Sequence, residues 1–383
     1  MKLIHNLKRE FHELAWHPLP VVVAFVCPVV VWLLLAYIFS NGVVREIPIT
    51  VLDYSESKLS RSIINALDES EAMKVIGVSK NKESAVESMK RQETFFIINI
   101  EKDLDKKVIT GEKANVKVIS NGGALLYGKV GYKTIAQVIT AENIQINTSK
   151  LIAAGMDKDE AYQRAYPIRS IYRVVGNPFF DYGIYLIPAI ALAMLQMSVF
   201  FSTLWTFHKK VQDPKGLFIP KKGDRFEYLL AKMLPIFTVN LAATLVLFLV
   251  ILPMSGLWLG KALFTFVPVL ILFITACMGF GAFLSISMKN VTMGSQIILV
   301  VASPSFIFSG YTFPRWAMPD VFNWIAEAFP LTHLLESYFS IFMYGRLTTN
   351  GLVPLVIINI VLWLGVFVFT SPTLVKFRHN YIH

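Results

Sequence analysis

The feature that most constrains this chain is the stretch from Tyr182 to Phe207, which holds no Asp, Glu, Lys or Arg and then ends abruptly at His208-Lys209-Lys210. An apolar run of about 20 residues is long enough to cross a bilayer as a helix, and this one is longer. The loop behind it carries Lys209, Lys210, Lys215, Lys221, Lys222, Arg225 and Lys232 against Asp213, Asp224 and Glu227. Short Lys/Arg-rich loops are retained in the cytoplasm, so this loop is expected inside, and its position orients every other segment.

Five further apolar runs fit the same alternation: Leu19 to Ser40, Leu234 to Pro253, Ala262 to Met288, Val291 to Tyr311 and Leu352 to Ser371. With 55% hydrophobic residues in 383, a polytopic membrane protein with six spans is expected, and a soluble protein is excluded. The run from Leu19 exceeds a normal signal-peptide core and no A-x-A site follows, so it reads as an uncleaved first span. Ser255 to Gly260 is then an outer turn, Lys289 an inner one, and Lys376 and Arg378 keep the tail 372–383 inside. Residues 1–18 place Leu3, Ile4, Leu7, Phe11, Leu14 and Ala15 at spacings of three and four, the pattern of an amphipathic helix on the cytoplasmic membrane surface. The formal charge of +10 is accounted for by segments flanking spans, so nucleic acid is not an expected partner. Cys27 and Cys277 both lie in apolar runs, which leaves the aqueous part without a thiol for a disulfide or zinc.

Residues 41–178 have the composition of a soluble domain and must lie on the side opposite the basic loop. Ile47–Leu52, Val75–Val78, Thr94–Ile100 and Asn115–Ile119 read as strands, Ser57–Leu67 and Glu83–Arg91 as helices. Strands alternating with helices predict a small α/β domain with a mixed or parallel sheet. A long helix over Ala124–Ala154 and a strand near Ile168–Val175 are expected to return the chain to the bilayer. Within this domain, Gly123 to Val130 nearly spells a phosphate-binding G-x-x-x-x-G-K-[ST] loop, but Val130 replaces the Mg²⁺-binding hydroxyl, so a plain turn opening a helix is expected. Asn147-Thr-Ser matches a glycosylation triplet, a motif common by chance.

Between the fifth and sixth spans, residues 313–351 are apolar but broken by Pro314, Pro319, Pro330 and Gly345. Pieces this short cannot cross, so two short re-entrant or interfacial helices in the outer leaflet are expected, with Trp316, Trp324, Tyr338 and Tyr344 at interface depth. Asp320, Glu327, His333 and Glu336 there read as a water-contacting rim rather than a catalytic or metal cluster. The span interiors, as bounded above, hold no ionisable residue. Ion- or proton-coupled carriers need such groups in the membrane, so the pattern argues for an energy source outside the spans. The polar residues that remain, among them Gln196, Ser202, Asn240 and Ser295, suit an amphipathic cargo better than a sugar or an ion.

The order of parts resembles the ABC-2 type permeases of ATP-binding-cassette exporters, most closely those with a long external domain after the first span. The resemblance is carried by IPITVLDYSESKLSRSIINAL (Ile47 to Leu67), NPFFDYGIYLIPAIALAMLQ (Asn177 to Gln196) and, most specifically, SGYTFPRWAMPDVFNWIAEAFPLTHLLES (Ser309 to Ser337). It implies a bacterial inner-membrane protein that pairs with a second copy or a paralogous permease and with ATPase subunits, binds no cofactor itself, and leaves ATP and Mg²⁺ to the partner. It also implies drugs or envelope lipids as cargo and allows a periplasmic adaptor. ATPase-coupling residues would be Phe11, Lys209, Lys210, Gly216, Phe218, Arg225 and Glu227. Gln196, Phe313, Trp324 and Glu327 would line the pathway and exit. The loop 208–232 departs from the family pattern: Gly216 holds the glycine position, the acidic-Gly-Thr element is absent, and Arg225 to Lys232 matches well. The alternative from another class is a membrane-anchored sensor or assembly scaffold whose external domain binds a ligand or partner. A lipid-processing enzyme would need a nucleophile or metal cluster at the bilayer surface, and none stands out.

Overall fold

The computed structural model describes the chain apart from residues 1, 17, 41, 170–175, 178–180, 212–224, 289, 348–350 and 371–383, and apart from the side chains of 2, 125, 126 and 209–211. Two compact units are present. One comprises residues 1–41, 175–177 and 183–383; the other comprises 42–174 with 178–182.

The first unit is all helical. Helix α1 (Lys2–Trp16) precedes α2 (Leu19–Ile38), and the remaining spanning helices are α8 (Tyr182–Val211), α9 (Arg225–Met254), α10 (Ala262–Ser287), α11 (Val291–Phe308) and α14 (Leu352–Phe369). Between α8 and α2 in chain order lie the helices α3 to α7 of the second unit, given below. Among the described residues six helices are long and apolar enough to cross a membrane, which is the polytopic class read from the sequence. The third of them starts at Arg225, not Leu234, so Arg225, Glu227 and Lys232 are helical rather than loop residues. Helix α10 is the centre of the bundle: Phe266, Phe273, Cys277 and Leu284 are buried, and it packs on α9, α11 and α14. Gly281 permits its contact with α8, because a Cβ there would sit 2.7 Å from the Phe200 carbonyl oxygen.

Two spans carry a π-helical turn beside a proline. Val22–Val26 precedes Pro28 in α2, and Leu247–Ile251 precedes Pro253 in α9. Proline lacks the N–H that would bond four residues back and its ring crowds that carbonyl, so the helix widens to absorb the conflict. In the first case Ser198 of α8 donates its hydroxyl to the Val23 carbonyl at 2.7 Å, supplying a partner within the apolar interior.

Two short helices, α12 (Asp320–Glu327) and α13 (Pro330–Tyr344), follow a 3₁₀ turn at Arg315–Ala317 and form the broken hairpin ahead of α14. Helix α12 is mostly exposed. Helix α13 packs into the bundle: Leu331, His333, Leu334 and Tyr338 are buried, and its aromatic side chains join the core. Tyr338 is therefore a core residue, while Trp316, Trp324 and Tyr344 stay exposed.

The second unit is a four-stranded mixed sheet in the order β2-β1-β3-β4, with β1 (Ile47–Asp53), β2 (Met73–Ser79), β3 (Phe96–Ile100) and β4 (Val116–Ser120). Strand β1 runs parallel to β2 and β3, and β4 runs antiparallel to β3. The helices are α3 (Lys58–Asp68), α4 (Lys82–Lys90), α5 (Leu104–Thr110), α6 (Leu125–Ala153) and α7 (Lys158–Ala165). Ile49, Val51, Phe96 and Ile98 build the main core with Ile63 and Leu67 of α3 and Ile135 of α6. Leu52 and Ile97 face the other way, against Ala85 of α4. Alternating side chains along β1 and β3 thus feed two cores, which is why both strands read as nearly continuous apolar runs. Ser57 caps α3: its Oγ accepts from the Ser60 amide, and Ser60 Oγ, which donates to Asp53 Oδ2, accepts from the Ser57 amide. Gly123 and its neighbours form a turn held by Asn121 at the start of α6, as the near-miss phosphate motif led one to expect. Ile168 lies in a bend and Arg169 in irregular chain, so neither joins a strand; residues 170–175 of that expected strand lie outside the described residues.

Candidate functional site: a seated N-terminal helix and a tied hairpin

The sequence-predicted residues that are described fall at two places in the helical unit, with Gln196 apart from both. The first is built from α1 and the start of α9. Helix α1 packs along α9 with Leu3, Leu7, Glu10 and Leu14 turned inward, a spacing of four, three and four that makes one helical face. The expected apolar stripe is thereby divided. Its other members, Ile4 and Phe11, face outward with Trp16, because the protein-facing stripe takes Glu10 instead. Phe11 is therefore presented rather than buried. Arg9 pairs with Glu10 and Glu13 at 3.6 and 3.7 Å.

Arg225 opens α9 and is buried. Its Nη1 donates to the Phe367 carbonyl at 3.4 Å and its guanidinium carbon lies 4.9 Å from the centre of the Phe367 ring. The last carbonyls of a helix lack intrahelical donors and carry partial negative charge, so a cation at the end of α14 is well placed. Glu227 is exposed. Lys232, two turns into α9, is 1% exposed, with Nζ 5.4 Å from the Phe207 ring and 6.0 Å from the Tyr228 ring. The expectation that the spans hold no ionisable interior residue fails at this position. It rested on a third span beginning only at Leu234, and the helix that actually forms carries a lysine whose charge is met by aromatic faces. The backbone of Lys209 and Lys210 belongs to α8. Gly216 and Phe218 lie outside the described residues.

The second place is the hairpin before α14. Arg315 pairs with Glu327 and reaches Glu336 at 3.8 Å, so one guanidinium ties the 3₁₀ turn to both α12 and α13. His333 Nε2 is hydrogen-bonded to the Glu327 carbonyl at 2.9 Å, and Asn323 Nδ2 donates to the carbonyls of Arg315 and Met318. His333 is buried, in contrast to the wet rim read from sequence, because α13 inserts its whole first turn into the core. Trp324 and Phe313 are exposed, and Glu327 is held in the Arg315 pair. Gln196 is elsewhere: deep in α8, its Nε2 donates to Ser305 Oγ of α11 at 2.9 Å. Tyr185 of α8 stacks on Tyr311 at 4.6 Å between ring centres and donates its hydroxyl to the Tyr311 carbonyl, and Tyr311 stacks in turn on Phe339 of α13. Sequence reasoning missed Arg315, Tyr311 and Lys232. Arg315 could have been found as the cation nearest in sequence to the hairpin's carboxylates Asp320, Glu327 and Glu336.

Among the described residues no group of three or more His, Cys, Asp or Glu is placed to hold a metal ion. What remains is a bundle of spanning helices with a packed amphipathic helix at one end and a closed hairpin before the last span, the architecture of a polytopic membrane protein. Residues 21–371 match the family model of ABC-2 family transporter proteins, and the chain belongs to that family. Membership implies an ATPase partner within an ABC transporter. No match is found among curated proteins.

Proposed function

We propose that this chain is the membrane subunit of an exporter that moves an amphipathic or lipid-like molecule, a drug or an envelope component, out of the cytoplasm or its inner leaflet. In this reading α1, the loop 208–224 and the start of α9 face the cytoplasm, both termini are inside, and residues 41–178 lie outside the bacterial inner membrane. Two such chains, identical or paralogous, form the pathway along α2, α8 and α11. An adaptor protein on the outer side is compatible with the external α/β domain.

The observation that carries the reading is the seating of α1 on α9. Helix α1 spends Leu3, Leu7, Glu10 and Leu14 on that contact and leaves Phe11 exposed. A separate ATPase that grips Phe11 and the loop behind Lys209 and Lys210 would move α9 with α1, tilting packed helices as rigid bodies. The buried polar groups of the bundle support an amphipathic cargo. Gln196, Ser202, Asn240, Thr244 and Ser305 are hydroxyl and amide groups that bond to each other or to helix carbonyls.

The test is copurification of the full chain with a Walker-type ATPase, followed by ATP hydrolysis measured with candidate amphipathic cargo. Stimulation that is lost in Phe11→Ala supports the assignment. Retention of a chain that never associates with an ATPase, with a deletion phenotype confined to envelope assembly, would favour a scaffold. Labelling of Lys221 from the medium in intact cells would invert the orientation and remove the export direction with it.

A further inference from the structure

On the face where α9 and α14 flank α10 there is an apolar groove of about 410 Å³. It is lined by Phe226, Leu230 and Phe237 of α9, Met278 of α10, and Trp363 and Phe367 of α14, among others. Phe226, Leu230, Leu234 and Phe367 are each partly or largely exposed there. In a water-soluble protein such a slot would favour an apolar partner, but on a spanning bundle its natural neighbour is the hydrocarbon of the bilayer.

Three observations specify the occupant further. From Phe226 to Phe237 the groove follows α9 for 11 residues, about 16 Å at 1.5 Å per residue. That is about half of a 30 Å hydrocarbon core, the depth of one leaflet. The groove is uniformly apolar along that length, with the Thr275 hydroxyl turned back to the carbonyls of Ile271 and Leu272. Beside the end of the groove marked by Phe226 and Phe367 stands Arg225, which does not itself line it; its guanidinium carbon lies 4.9 Å from the centre of the Phe367 ring. Among the described residues its hydrogen bond is the long 3.4 Å contact to the Phe367 carbonyl, and its Nε has none. A cation at one end of an acyl-length apolar slot is the complement of a glycerophospholipid.

We propose that this groove is a phospholipid site: one acyl chain lies between α9 and α14 over α10, and the phosphodiester sits at Arg225. The lipid belongs to the leaflet on the Arg225 side of the membrane. Held there, it would fill the gap between two helices that touch directly through Arg225 and Phe367, and would reinforce that join between the start of α9 and the end of α14. The proposal rests on the spanning fold alone. It does not depend on the export reading, whose pathway runs along α2, α8 and α11.

The test uses the full-length protein, delipidated in detergent and titrated with phosphatidylglycerol or with a diacylglycerol of the same chains, with bound lipid counted by native mass spectrometry. The wild type should bind phosphatidylglycerol at least about tenfold more tightly than the diacylglycerol, the scale of one charge-assisted hydrogen bond. Arg225→Gln should lose that preference while still binding the diacylglycerol. Leu230→Trp, which fills the groove and leaves the charge in place, should weaken both. Equal binding of the two lipids by the wild type would overturn the headgroup assignment, and undiminished binding by Leu230→Trp would overturn the site. Because Arg225 also contacts α14, the Leu230→Trp arm stands even if Arg225→Gln lowers the protein's stability.

Discussion

Gln196 Nε2 donates to Ser305 Oγ across 2.9 Å, and both side chains are buried, so α8 and α11 are joined by a polar bond in the apolar interior of the bundle. Ser305 also donates to the Ala302 carbonyl, which fixes its hydroxyl hydrogen and leaves its oxygen to accept from Gln196. Gln196→Leu removes the interhelical bond but leaves Ser305 with its local partner. Interhelical hydrogen bonds in membrane proteins average about 0.6 kcal/mol and reach about 1.7 kcal/mol, so the loss of stability should stay in that range. Thermal unfolding of the purified variant in detergent checks this. If α8 and α11 line the transport route, export by Gln196→Leu should change by far more than its stability does.

The Arg315 pair with Glu327 poses a different question, because both partners are partly exposed. Exposed ion pairs contribute about 0–1 kcal/mol, so Arg315→Gln should barely change the unfolding midpoint. The pair is instead a geometric tie, since the same guanidinium also reaches Glu336 on the next helix. Arg315→Gln and Glu327→Gln should therefore loosen the hairpin similarly, read as faster hydrogen exchange over α12, and the double variant should add little to either. Additive effects would show that the two residues act separately.

How much of this was legible beforehand depended on whether a pattern could accumulate over enough residues. The runs that became α8 and α10 were legible from their uncharged length, and strands β1 and β3 from short continuous apolar runs, because both of their faces are buried. The two-turn helices α5 and α7 carried too few residues for a period to show, and both were missed. The start of α9 was misread for another reason. Arg225 and Lys232 are charges, and a charge counts against a span until its partner is known. Two of those partners, the Phe367 carbonyl and the Phe207 ring, come from other helices that only the fold brings near, while the Tyr228 ring lies one turn back on α9 itself. His333 and Tyr338 were likewise assigned to an interface because proline-bounded helices are usually shallow, whereas α13 packs its length against α10 and α11. Of the residues expected to act in coupling, Phe11, Arg225 and Glu227 are placed at one end of the bundle. The hairpin residues are placed at a separate site, with Gln196 apart from both.

Glu101, at the end of β3, should make the α/β unit sensitive to acid. Its carboxylate accepts from the Asn115 backbone amide and pairs with Lys107 at 3.1 Å, and these hold its pKa below the ordinary glutamate value. A carboxyl depressed in the folded state contributes stability that is fully present above its unfolded pKa, near 4.3, and is lost as pH falls through the folded value. The melting temperature of the wild type should therefore exceed that of Glu101→Gln at pH 7, and the gap should close below about pH 4. A gap that persisted into stronger acid would assign the effect to the shape of the side chain rather than to its charge.

Gly281 offers the sharpest test of the bundle's packing. A Cβ at this position would lie 2.7 Å from the Phe200 carbonyl oxygen and 3.0 Å from Thr203 Cβ, so the obstacle is partly the backbone of α8, which cannot rotate aside as a side chain can. Small residues at helix interfaces in membranes let backbones approach closely, and that approach supplies the dispersion contacts that replace a hydrophobic driving force. Gly281→Ala should therefore force α8 and α10 apart and cost about 1–3 kcal/mol, with Gly281→Val worse. Gly256, in the turn after α9, is the control: nothing stands within 4 Å of its Cβ position, so any cost there comes from its positive φ of 75° alone. Unfolding midpoints of Gly281→Ala and Gly281→Val that matched the wild type would mean that α8 and α10 are not held at this distance, and the central position of α10 in the bundle would have to be redrawn.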